Sequence, residues 1–212
     1  KKYFRDWETF QVPDELREVH SLKKSPVVVI TDPSKGIATP LVLPESGAIV
    51  SFLIHLYSPA TSPSSLALAP DASPYDQAEH SYFMHWVEGT AMQPVMYKLV
   101  LSRLPKLAPW YLRPLVQSIS DAAVNGVVKG RAQETYQYVD DKIGDKEFFV
   151  GGKLTGVDIM MSFFAETLAT AAGVTEEDFP RFRAWHAKMK QRPAYQKALG
   201  KGGENDLGLF TK

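Results

Sequence analysis

Cysteine does not occur in this chain of 212 residues. Its absence removes disulfides, zinc–thiolate centres, iron–sulfur clusters and any cysteine nucleophile from the chemistry the sequence can supply, and it disfavours secretion. Net charge is missing too, since 24 Lys plus Arg balance 24 Asp plus Glu. The basic residues are dispersed among acids, so neither nucleic acid nor an anionic membrane surface is expected as a partner. A long apolar run is also lacking. The most apolar stretch, Ile159 to Val174, contains Glu166 with several Ser and Thr and falls short of the roughly 20 apolar residues of a membrane span. It is expected to be a buried helix. No basic segment followed by an apolar one opens the chain, and the expectation is a cytoplasmic protein.

What is present suits packed globular structure. Apolar residues make up 44% and charged residues 23%, as in ordinary domains. The length exceeds the roughly 100–150 residues of a common single domain, which favours two.

Pro26-Val27-Val28-Val29-Ile30 is a β-branched run, Asp32-Pro33-Ser34-Lys35-Gly36 is turn chemistry, and Ala38 to Leu43 is a second apolar strand, so a hairpin is expected. Before it, Pro13 to Val19 has a proline opening and early acids that suit a short helix. After it, Ile49, Phe52, Leu53 and Leu56 form a helical stripe suited to packing on the sheet. Ser58 to Pro74 is rich in Pro and Ser without a sustained period and is expected to link two domains, 1–57 and 75–212.

Beyond the linker the pattern is helical: Tyr75 to Arg103 with Gly89 and Pro94 as kinks, Pro109 to Ile143, Thr155 to Ala172, Pro180 to Gln191, and a turn over Pro193 to Leu199. Thr155-Gly156-Val157-Asp158 has capping-box spacing, with Leu154 and Ile159 placed as a hydrophobic staple. Ile159, Met160, Phe163, Phe164 and Leu168 cover much of the following helix, which is expected at the centre of the helical domain.

Two segments suit a small ligand. Lys24-Ser25-Pro26-Val27 enters a strand through proline. A cis bond there would free backbone groups to pair with an extended, peptide-like ligand, whereas a trans proline would simply begin the strand. Pro44-Glu45-Ser46-Gly47 turns from strand into helix. The Ser46 hydroxyl and the free N–H groups of a first helical turn suit a carboxylate, and Glu45 beside them suits an ammonium. The alternative is that Ser46 only caps the helix. His20, His55, His80, His85 and His186 have no metal-ligand spacing, so no metal is expected.

In order, the Ser-Pro apolar run, the hairpin, Glu45-Ser46, the linker, the helices, the Thr155–Asp158 box and Arg192-Pro193-Ala194-Tyr195 resemble the cytosolic glutathione transferase superfamily. Tyr82-Phe83-Met84-His85-Trp86-Val87-Glu88-Gly89 with Gln93-Pro94 is most similar to its fungal branch. The resemblance implies α/β plus all-α architecture: a thioredoxin-like N-terminal domain followed by a helical-bundle C-terminal domain. It implies that Lys24 meets the glycyl carboxylate of glutathione and that the Ser25 backbone pairs with its cysteinyl unit. Pro26 is then cis, and Glu45 and Ser46 hold the γ-glutamyl head group.

The same resemblance implies a homodimer active in detoxification that joins glutathione, its co-substrate, to small apolar electrophiles. These would enter a cleft between domains, with Trp86, Met92, Met96 and Tyr97 as pocket candidates; the same four side chains equally suit core or dimer contacts. A glutathione-binding carrier or interaction domain, or a glutathione-dependent peroxide or disulfide reductase, remains the alternative. Lys1-Lys2-Tyr3-Phe4 aligns with the family's second strand. The family's first strand and first helix are therefore absent from the sequence, and the Tyr, Ser or Cys that activates the sulfur would lie upstream.

Overall fold

The computed structural model describes residues 12–58, 65–68, 72–167 and 176–203. Lys1 to Phe4, Leu168 and much of the expected linker lie outside the described residues. The chain divides into two compact units, Lys1–Asp71 and Ala72–Lys212.

In the first unit, β1 (Val27–Asp32) and β2 (Ile37–Pro44) form an antiparallel hairpin in which Val27 pairs with Pro44 and Ile30 with Leu41. Asp32 holds the turn. Its carboxylate accepts from the Ser34 N–H at 3.1 Å, the Ser34 hydroxyl at 2.5 Å and the Tyr57 hydroxyl at 2.9 Å. Gly36 follows at φ +79°, a left-handed backbone that glycine adopts without a Cβ penalty. The register slips between Ile30 and Asp32, the mark of a bulge beside the turn.

Helix α1 (Glu15–Val19) buries Leu16, and α2 (Ser46–Tyr57) packs on the hairpin with Ile49 buried. Phe52, Leu53 and Leu56 are half-buried. Part of the expected linker is tied down locally: the Ser65 hydroxyl donates to the Ser58 carbonyl at 2.9 Å, and the Leu66 N–H donates to the Ser58 hydroxyl at 2.7 Å.

The second unit is built of helices, with no strand among its described residues. The helix expected from Tyr75 forms as α3 (Pro74–Trp86) and α4 (Met92–Leu107), separated by a π-turn over Val87–Ala91. The next forms as α5 (Arg113–Ala123) and α6 (Lys129–Ile143), again separated by a π-turn, over Val124–Val128. Each π-turn contains a glycine, Gly89 or Gly126, whose low helix propensity makes insertion of an extra residue less costly.

Helix α7 (Gly156–Glu166) starts with the capping box in place. Asp158 accepts from the Thr155 N–H at 2.8 Å and from the Phe149 N–H at 3.0 Å. The core gathers around this helix. Phe164 stacks on Tyr136 with ring centroids 4.6 Å apart, and Phe179, Phe182, Trp185 and Phe149 close the cluster. Of the residues expected to cover much of α7 in the core, Ile159 and Phe163 are instead exposed. They lie four apart on one stripe, while Val157, Met160, Met161, Phe164 and Ala165 face the core.

Helix α8 (Pro180–Lys190) and helix α9 (Pro193–Gly202) complete the unit. The latter is longer than the turn read from sequence. It is anchored where the Tyr195 hydroxyl donates to Glu166.

Candidate functional site

The mouth of the hairpin brings both ligand-suited segments together. Ser25–Pro26 is cis. Because Val27 pairs with Pro44, the residues next outward, Pro26 and Glu45, leave the sheet at the same end. Glu45 has φ +74° and ψ 120° and occupies the N-cap position of α2, with no capping bond from its side chain. Its carbonyl accepts the first helical bond, from the Ile49 N–H at 2.9 Å. This corrects the reading of Ser46 as the cap, since Ser46 is already the first helical residue.

The consequence is an open first turn. The N–H groups of Ser46, Gly47 and Ala48 precede the first intrahelical bond and carry the positive end of the helix dipole. Among the described residues no protein group pairs with the half-buried Ser46 hydroxyl. The exposed Glu45 carboxylate stands one residue away. An acid beside a cluster of donors is complementary to a carbon bearing both ammonium and carboxylate.

Lys24 is exposed just before the cis bond. Its neighbour Lys23, which sequence reasoning did not single out, has φ +51° and pairs with Asp14 at 2.5 Å. The Lys23 ammonium holds the Asp14 carboxyl below the usual carboxylate range. With the Lys23 N–H donating to the His20 carbonyl at 2.9 Å, this pair shapes the turn that presents Lys24. Neither positive φ had a sequence signal, because Lys and Glu are not residues that mark left-handed backbone.

The four second-substrate candidates separate by burial. Trp86 sits among Phe83, Tyr138 and Phe164 with centroids 5.3 to 6.3 Å away, and Met92 is buried with it. Met96 and Tyr97 are exposed on α4. His80 is half-buried, which lowers its pKa, and His85 pairs through Nδ1 with the Ser81 carbonyl at 2.7 Å. Among the described residues no three His, Asp or Glu gather as a metal site would require.

Residues 103–193 match the family model described as the glutathione S-transferase C-terminal domain. These residues therefore form a glutathione S-transferase C-terminal domain. The chain is 27% identical over 195 residues to glutathione S-transferase 1 of Saccharomyces cerevisiae, covering 91% of this chain and 80% of that protein. It is 27% identical over 207 residues to glutathione S-transferase 3 of Schizosaccharomyces pombe, covering 95% and 77%. The fold is similar to that of a sphingomonad glutathione S-transferase solved in complex with glutathione. That match has a TM-score of 0.64 at 18% identity and covers 96% of this chain and 87% of the other. The two units are thus those of the transferase fold, a thioredoxin-like N-terminal part and a helical C-terminal domain.

Proposed function

We propose that this chain is a glutathione transferase that binds glutathione at the hairpin mouth and joins its thiolate to small apolar electrophiles. One observation carries the reading: the cis Ser25–Pro26 bond and the open Glu45–Ser46 corner stand together at one end of the β1–β2 hairpin. Ser46 and the first-turn N–H groups of α2 hold the γ-glutamyl carboxylate, and Glu45 holds the ammonium. The Ser25 backbone beside Pro26 pairs with the cysteinyl unit, and Lys24 meets the glycyl carboxylate. A protein of zero net charge attracts an anionic tripeptide through these local groups.

The reaction needs the thiol to lose its proton so that sulfur can attack the electrophile, and it gains from holding both reactants in one geometry. Of the α4 candidates, Met96 and Tyr97 have accessible surface for an apolar second substrate. The protein acts as a homodimer, in keeping with the exposed Tyr75 and Tyr82 on α3, through an interface of at least about 1,200 Å². Light scattering giving a monomer mass would refute that assembly.

Titration calorimetry with glutathione, followed by turnover of glutathione with an activated aryl halide, tests the main reading. Binding with turnover is expected. Binding without turnover would leave a carrier role, and no binding would overturn the site.

A further inference from the structure

We propose that the tip of the α4–α5 hairpin is a peripheral membrane contact that seats its aromatic apex in the headgroup layer of an anionic bilayer. This rests on no assumption about glutathione. It reverses the composition-based expectation that no membrane surface is engaged, because charge that is balanced over the whole chain is not balanced here. From Gly89 to Ser120 the chain contains Lys98, Arg103, Lys106 and Arg113 and no Asp or Glu, the flanking acids being Glu88 and Asp121; Arg103 is buried and Lys98 half-buried, so Lys106 and Arg113 carry the exposed charge. The fold concentrates that acid-free stretch into one element, α4 turning back into α5.

The apex joins this positive charge to exposed apolar surface. Trp110 is 78% exposed, Leu107 66%, Tyr111 64% and Leu115 60%. The Trp110 and Tyr111 rings meet edge to face at 5.8 Å. Among the described tryptophans, Trp86 and Trp185 are in the core and Trp110 alone faces solvent. The apex is also held in shape. The Leu112 N–H donates to the Pro109 carbonyl at 2.9 Å, and Arg113 Nε donates to the Ala108 carbonyl at 3.2 Å. A preformed loop loses little conformational freedom on docking.

Chemistry selects the occupant. Trp and Tyr favour the boundary between hydrocarbon and water, and flanking cations favour anionic headgroups. The exposed Lys106 and Arg113 flank the aromatic pair on either side. A second copy docked apex to apex would set Lys106 and Arg113 against their own copies, with no acid between Gly89 and Ser120 to offset them. Nucleic acid would leave Leu107 and Leu115 without apolar partners. No helix among the described residues is long and apolar enough to cross a membrane, so the contact is one of surface insertion, about 5–10 Å deep.

The test uses the full chain with vesicles of phosphatidylcholine alone and with about one third phosphatidylserine. Co-sedimentation with the anionic vesicles and a blue shift of tryptophan emission are expected. The Trp110→Ser/Tyr111→Ser variant should weaken binding about tenfold, and Lys106→Glu should weaken it about as much on anionic vesicles only. Thermal melting checks that each variant is folded. Should the double variant fail to fold, Trp110→Phe, which should abolish most of the blue shift while retaining binding, takes its place. Wild type that ignores anionic vesicles, a folded Trp110→Ser/Tyr111→Ser or Lys106→Glu variant that binds anionic vesicles as wild type does, or a Trp110→Phe variant that keeps the full blue shift, would overturn the proposal. So would a variant that changes the mass in light scattering, which would make the apex a self-contact.

Discussion

Val27 lies opposite Pro44 in the hairpin, and that pairing sets Pro26 and Glu45 side by side at the mouth of the sheet. Two segments nearly twenty residues apart in sequence thereby meet at one end of the hairpin.

Ser46→Ala should lower affinity for glutathione by tenfold to a hundredfold, the effect of losing a charge-assisted hydrogen bond of about 1.5–3 kcal/mol. Helix α2 should persist, because Glu45 rather than Ser46 occupies its N-cap. Calorimetry and circular dichroism on the same variant separate the two roles. Equal affinities would reduce Ser46 to a structural residue.

Glu45→Gly should raise stability and weaken glutathione binding together. A non-glycine residue at φ +74° carries backbone strain of about 1–3 kcal/mol, part of which glycine relieves. The lost carboxylate removes the partner for the ammonium. A higher melting temperature with a lower binding constant is the expected pair of readings, and a fall in both would contradict it.

Asp158→Ala should destabilise the protein by about 2–4 kcal/mol, because it leaves the buried Phe149 and Thr155 N–H groups without their acceptor. Burial is the largest influence on the Asp158 carboxyl and pushes its pKa up from 3.8 to about 6, against the lowering effect of the hydrogen bonds it accepts. A folded pKa above the unfolded value adds stability that is fully present below about pH 4 and is lost as pH rises through 6. Relative to Asp158→Asn, wild type should therefore gain as pH falls from 7.5 to 4.5, by at most about 3 kcal/mol. Urea unfolding at the two pH values measures the difference, and a constant difference would refute it.

Tyr136→Phe should cost about 1 kcal/mol and Tyr136→Ala about 3–5 kcal/mol. The first removes only the hydroxyl contact with Thr167 Oγ1 at 3.0 Å, and Thr167 still donates to the Phe164 carbonyl at 2.7 Å. The second removes the ring that stacks on Phe164 and opens a cavity in the core. Chemical denaturation of both variants gives the comparison.

Features governed by neighbours along the chain could be read from sequence alone. The β-branched run of β1, the turn at Asp32 to Gly36, the Thr155–Asp158 box and the proline-led starts of α8 and α9 depend on φ, ψ preferences and short-range hydrogen bonds. The order of these features also pointed to the family, and the hairpin-mouth residues stood out because strand-to-helix corners and X-Pro steps are local.

Tertiary structure decided what covers each face. Periodicity marks the apolar side of a helix but not its neighbour, so Ile159 and Phe163 could not be told from Phe164, nor Trp86 and Met92 from Met96 and Tyr97. The positive φ of Glu45 follows from joining β2 to α2 in the space available, a demand no single residue type announces. The acid-free run from Gly89 to Ser120 can be read along the sequence, but only the reversal at Pro109 and the burial of Arg103 leave Lys106 and Arg113 exposed beside Trp110 and Tyr111, and electrostatic attraction acts over about 10 Å.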